Sequence, residues 1–207
     1  RLQLVREYVK SNARTSADND INEWAEWIDR QLDALPPFYL MMEDPTRIAQ
    51  DLENIRQLSE QEVRIEGTYE EETDTVTYRI VASSRYEGGS FHKISGVLSG
   101  LRMDIHGAQS CTTHDGTLIA SFRISDNDFM GRVSEYRIQE VCDALSDVLT
   151  NKTTVEHIFR RSGLFRLKKN KVIQPVAPHV SIDNDCSENH TVIDVFAMDS
   201  PGLLYTL

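Results

Sequence analysis

A chain of 207 residues, 40% hydrophobic and 27% charged, has an ordinary globular composition, enough to bury one or two cores, and is not a disordered tail. No run approaches the roughly 18 apolar residues of a membrane span, and the opening "RLQLVREYVK" mixes charge with apolar groups too often for a signal peptide; a cytoplasmic protein without a membrane partner is expected. The net charge of -11 argues against nucleic acid as a partner, because neutralising phosphates requires a basic surface.

Up to about residue 62 the pattern is helical. Leu2, Val5 and Val9 recur at helical spacing, as do Trp24, Trp27, Ile28 and Leu32, after which Pro36-Pro37 stops the helix. Asp44 is placed to cap a further helix with Pro45 at its first position and an apolar stripe of Ile48, Leu52, Ile55 and Leu58. The period then shortens. Val76, Tyr78, Ile80 and Ala82 alternate with Thr75, Thr77, Arg79 and Val81, as in a strand with one buried face. A turn, "RYEGGSF", leads into a helix carrying Phe91, Ile94, Val97, Leu98 and Leu101. Asp115-Gly116 predicts a two-residue type I′ turn between strands at about 103–113 and from Leu118 to Ile124.

Ile138, Val141, Cys142, Leu145, Val148 and Leu149 mark a second long amphipathic helix. Lys152, Arg160, Arg161, Arg166, Lys168, Lys169 and Lys171 then face one acid, Glu156, which reads as a solvated basic linker over 151–173. "HVSIDND" and "TVIDVFA" read as two short strands. The order strand, helix, strand, strand, helix, strand predicts an α+β, ferredoxin-like βαββαβ domain whose fourth strand is "HVSIDND", with a strand and a helix start left over. The left-over apolar residues Val195, Phe196, Leu203 and Leu204 are expected to pack on the first module or on another chain. Cys111, Cys142 and Cys186 lie far apart, without a CxxC pair, and are read as reduced.

The left-over piece, "TVIDVFAMDSPGLLYTL", repeats "VTYRIVASSRYEGGSFHKI": Gly202 aligns with Gly89, Leu204 with Phe91, Pro201 with Gly88 and Asp199 with Tyr86. An apolar strand ending in Asp-x-Pro-Gly-Leu-Leu resembles the ACT domain, a regulatory module that commonly binds amino acids. The wider "VSIDNDCSENHTVIDVFAMDSPGLLYTL" is similar to the junction between the tandem ACT domains of bacterial PII uridylyltransferase/uridylyl-removing enzymes. "LPPFYLMMEDPTRIAQDL" resembles the connection in that family from a metal-dependent HD hydrolase domain to the first ACT domain.

The resemblance implies residues 1–62 as the end of, or linker from, an HD-type domain, 63–187 as a first ACT domain including the basic linker, and 188–207 as the start of a second. It marks the chain as a fragment of a nucleotidyltransferase that transfers uridylyl groups from UTP to the PII protein and hydrolyses them off again. Mg2+ and UTP then belong to the parent enzyme, and no catalytic centre, cofactor or metal site is expected within these residues. Glutamine or another small amino acid would bind where ACT domains pair, within the chain or in a homodimer. The implied ligand residues are Asp199, Ser200, Pro201 and Gly202, with Glu87, Gly88 and Gly89 as weaker counterparts, since Tyr86 stands in the Asp position and Gly88 in the Pro position. A free-standing ACT-repeat amino-acid-binding protein, or the regulatory tail of another enzyme such as an alarmone synthetase, is the alternative. "THDG" at 113–116 has a His-Asp pair, but in a hairpin turn without companion ligands, and is read as no metal site.

Overall fold

The structure is a computed structural model that describes residues 2–12, 21–58, 63–83, 89–129, 131–163, 177–187, 190–200 and 202–206. Four helices come first: α1 (Leu2–Asn12), α2 (Ile21–Ala34), α3 (Pro37–Met42) and α4 (Pro45–Gln57). Pro36-Pro37 ends α2 as expected, yet the second proline also opens the short α3, for which its fixed φ is already suited. Asp44 caps α4, its side chain accepting from the Thr46 amide at 2.8 Å.

A hairpin follows, β1 (Val63–Glu70) and β2 (Thr75–Ala82), then α5 (Ser90–Gly100), β3 (Met103–Thr112), β4 (Leu118–Asp126), α6 (Glu135–Leu149) and α7 (Val155–Ser162). The four strands form one antiparallel sheet in the order β1-β2-β4-β3. The chain ends in a separate two-stranded sheet, β5 (His179–Asp183) and β6 (Val192–Phe196), and a short α8 (Leu203–Thr206).

The mixed α/β class and four-stranded antiparallel sheet agree with expectation, but the fourth strand does not. "HVSIDND" provides β5, which pairs with β6 and not with the larger sheet. The place beside β2 is filled by β1, along which Val63, Ile65 and Tyr69 lie on one face. A strand joined to β2 by the tight 71–74 turn closes with little loop entropy, and one arriving from the far end of the chain must pay for a long loop. That turn is fixed by Asp74, at φ 51°, whose carboxylate accepts from the Tyr69 hydroxyl at 2.7 Å.

The β3–β4 turn is corrected as well. Gly116 has φ 89°, but Asp115 is not in the positive-φ region that a type I′ turn requires of both central residues. The loop is wider, with the Thr113 amide bonded to the Thr117 carbonyl at 2.9 Å.

Each face of the sheet has its own core. On one, Val76, Tyr78, Ile80, Phe122 and Ile124 pack against Ile94, Val97 and Leu98 of α5, Val141 and Leu145 of α6, and Ile158 and Phe159 of α7. On the other, Cys111 and Ile119 meet Val5, Ile28, Leu32, Tyr39, Ile48 and Leu52 of the first four helices, with Trp27 half-buried against them; the Trp24 side chain lies outside the described part of the structure. Fully burying one such aliphatic or aromatic side chain stabilises by about 1.5–3 kcal/mol.

An ionic clasp ties this helical layer to the sheet. Arg79 of β2 donates through Nε to Asp51 of α4 at 2.6 Å and through Nη2 to the Tyr39 hydroxyl at 3.1 Å, while Tyr39 donates to Asp51 and Glu43 lies 3.6 Å from the guanidinium. Burial alone would lower the Arg79 pKa, but hydrogen bonding and the charge of Asp51 carry it above the ordinary value.

The basic stretch read as linker begins with structure. Thr154 caps α7, which buries Val155, Ile158 and Phe159 and points Arg160 and Arg161 to solvent. Arg166, Lys168, Lys169 and Lys171 lie outside the described residues.

Candidate functional site

Both turns singled out in the sequence start a helix on a glycine in the left-handed region, φ 98° at Gly89 and 85° at Gly202, where a side chain would be strained. The Lys93 amide donates to the Gly89 carbonyl at 3.0 Å, and the Tyr205 and Thr206 amides donate to the Gly202 carbonyl at 3.1 Å. The sequence repeat is therefore a repeat of structure, and it extends upstream. Val63 pairs with Ala82 and Ile65 with Ile80 in the first hairpin; Val180 pairs with Val195 and Ile182 with Ile193 in the second. Each unit is a hairpin, a glycine turn and a helix.

The turns differ in surroundings. Gly89 is exposed, whereas Gly202 is buried, and a Cβ at Gly202 would lie 3.2 Å from Phe159 Cζ. Asp199 and Ser200 face solvent, and the Ser200 carbonyl accepts from the Leu203 amide at 3.0 Å. Glu87, Gly88 and Pro201 lie outside the described residues.

The helices that follow the two turns lie against each other. α8 packs on α5, and the Tyr205 ring stacks on His92 at 5.1 Å and 17° and lies 5.8 Å from the Phe159 ring. The Tyr205 hydroxyl donates to Glu156 Oε1 at 3.1 Å. Hydrogen bonds from its own backbone amide, from Thr154 and from Tyr205 hold the Glu156 carboxyl below the usual range. Partial burial, with the Glu156 bond, raises Tyr205 above the ordinary phenol value. Leu203 and Leu204 are half-buried here, while Val195 and Phe196 remain exposed. Sequence reasoning missed His92, Glu156, Phe159 and Tyr205. The repeat alignment could have paired His92 with Tyr205, and the 155–162 amphipathic pattern could have found Phe159.

Other reactive groups are occupied elsewhere. In "THDG" the Asp115 carboxylate accepts from the Thr113 hydroxyl and, at 3.2 Å, from the Thr117 amide; these bonds lower its pKa although partial burial opposes them. The His114 amide bonds to the Ala34 carbonyl at 3.1 Å, so the pair fastens a hairpin loop to the end of α2. Among the described residues, no three His, Cys, Asp or Glu side chains converge as metal ligands. Burial pushes the Cys111 thiol up to about 12 and the Cys142 thiol up to about 11, which suppresses the reactive thiolate. A recess of about 590 Å³ between α6 and α7 is lined by Asp143, His157 and Arg161 among others. Much of its charge is paired internally, Arg137 with Asp126 and Glu140, and Arg102 with Asp128. No helix among the described residues is long and apolar enough to cross a membrane.

No family model matches the chain. The chain is instead similar to several bifunctional uridylyltransferase/uridylyl-removing enzymes. It is 32% identical over 119 residues to the bifunctional uridylyltransferase/uridylyl-removing enzyme of Rhodospirillum rubrum, covering 58% of this chain and 13% of that protein. It is 28% identical over 190 residues to the enzyme of that name from Cereibacter sphaeroides and 28% over 193 residues to that of Bradyrhizobium diazoefficiens, covering 88% and 90% of this chain and 20% of each relative. The chain is related to these bifunctional enzymes. It spans about an eighth to a fifth of the length of these relatives. The two longer matches cover most of the chain and so run through both the helical layer and the sheet.

Proposed function

We propose that this chain is the amino-acid-sensing regulatory region of a bifunctional enzyme that transfers uridylyl groups from UTP to the PII protein and removes them again, with glutamine as the ligand. The observation that carries the reading is the duplicated unit of hairpin, glycine turn and helix, in a chain similar over most of its length to enzymes named for those two activities. Paired small modules with helix starts at their contact suit a small zwitterion. Helix-start amides carry the positive end of the helix dipole and favour a carboxylate, and a nearby acid favours an ammonium group.

In this reading Asp199, Ser200, Pro201 and Gly202 form the stronger turn, with Asp199 taking the ammonium group. Glu87, Gly88 and Gly89 form the weaker one, where Tyr86 supplies no carboxylate. Because Phe159 fills the space beside Gly202, the ligand meets the second turn from the side of Asp199 and Ser200. Mg2+ and UTP belong, in this reading, to the catalytic parts of the parent enzyme. The role of the region is a population shift: glutamine favours one arrangement of the regulatory and catalytic parts by a coupling of about 1–3 kcal/mol.

Calorimetric titration of the protein with glutamine against a panel of amino acids tests the proposal. Saturable heat with glutamine, abolished by Asp199→Ala, is expected; saturation by another amino acid and none by glutamine would overturn the nitrogen-sensing assignment.

A further inference from the structure

We infer that the stacked pair His92–Tyr205 is the joint between the two hairpin–helix units, docking the second on the first and tying the two glycine turns together. The inference builds on the reading of those turns as the responsive parts of the chain, but none of its contacts involves a ligand.

The equivalence Gly89–Gly202 makes His92 and Tyr205 the same position in the two units, one helical turn beyond each glycine. These two stack nearly parallel, 5.1 Å apart and 17° inclined. Around the stack, α5 is cut back to receive the tyrosine. A Cβ on Gly96 would lie 2.7 Å from Tyr205 Cδ2 and 2.6 Å from Val155 Cγ1, closer than any side chain tolerates. The Ser95 hydroxyl reaches the Leu204 carbonyl at 3.5 Å, and Glu156 receives the Tyr205 hydroxyl. α7 thus closes the far side of the notch.

The pair also connects the turns. His92 Nδ1 is 2.9 Å from the Gly89 carbonyl, and the Tyr205 amide donates to the Gly202 carbonyl at 3.1 Å. Three contacts lead from one turn glycine to the other: carbonyl to imidazole, imidazole to phenol ring, and the Tyr205 amide to carbonyl. A helix as short as α8 cannot sustain itself in water, so its order depends on this docking. A change in the first turn that moves His92 withdraws support from the second, and the reverse holds equally.

Amide hydrogen exchange on the 207-residue chain without ligand tests the joint. Tyr205 and Thr206 amides are expected to be protected in the wild type. His92→Ala is expected to speed their exchange at least about fivefold, and Tyr205→Ala to speed exchange of the Lys93 amide, bonded to Gly89, by a similar factor, while β1–β4 amides keep their rates. Tyr205→Phe keeps the ring and drops only the hydroxyl, so it should stay close to wild type. Should Tyr205→Ala unsettle the sheet, His92→Ala at its exposed site decides alone. Unprotected α8 amides in the wild type, cross-effects below about fivefold, or a Tyr205→Phe result equal to Tyr205→Ala would each overturn the inference. A failed glutamine titration would leave it standing, because no ligand enters the measurement.

Discussion

The two hairpins share strand register and a glycine turn, but β2 is buried almost throughout while β5 and β6 are exposed along their full length. Ile80 and Ile193 hold the same position in the repeat, at 0% and 59% exposure. The apolar row Val180, Ile182, Ile193 and Val195 is as hydrophobic as Val63, Ile65, Ile80 and Ala82. Among the described residues it lacks a covering layer, whereas the first row has α5 and α6 above it and the other face of that sheet has α3 and α4. A strand's own residues prepare a buried face, and its neighbours decide whether that face is buried.

Mutations separate the two hairpins most sharply at the clasp that ties the first to the helical layer. Asp51→Ala leaves the guanidinium of Arg79 buried without its carboxylate and should cost about 3–5 kcal/mol of unfolding free energy in a urea titration. The paired substitutions come next. Ile80→Ala should cost about 2–5 kcal/mol through the cavity it leaves, while Ile193→Ala at the matching position should stay within about 0.5 kcal/mol in the same assay. Equal losses at the two sites would mean that the second hairpin is covered in solution. Ser134→Ala removes the hydroxyl that accepts from the Arg137 amide at 3.2 Å and caps α6; about 1 kcal/mol should be lost, from the helices that cover the first hairpin.

The smallest effect concerns pH at the joint. The Glu156 carboxyl lies below its ordinary value of 4.5, so its stabilising contribution is complete above that value and fades as pH falls through the depressed one. The facing groups are the Tyr205 and Thr154 hydroxyls and the Arg160 guanidinium. The Glu156 contribution to protection of the α8 amides should therefore weaken slightly in acid. Glu156→Gln should remove the acid dependence without abolishing docking.

Local patterns carried much of the fold. Asp44-Pro45, the alternation from Val76 to Ala82 and the apolar stripe from Ile138 to Leu149 each state their element, because capping, two-residue and 3.6-residue periods are short-range properties. β1 was legible too, since Val63, Ile65 and Tyr69 alternate, but charged and glycine neighbours diluted the signal. α7 was obscured by the basic residues on its outer face. Of the candidate site, the glycine turns and their repeat could be read directly. The stack, the Gly96 notch and the Glu156 bond could not, because each joins residues far apart in the chain.

The sequence by itself determined most of the helices and strands, the glycine turns at 89 and 202, and the duplication that relates them, since all of these follow from backbone preference and periodicity. Tertiary structure alone decided which strand stands beside β2, which hairpin is covered, and that Tyr205 enters a notch in α5. Those outcomes depend on loop entropy and on which surfaces meet, and neither is encoded in any short stretch of residues.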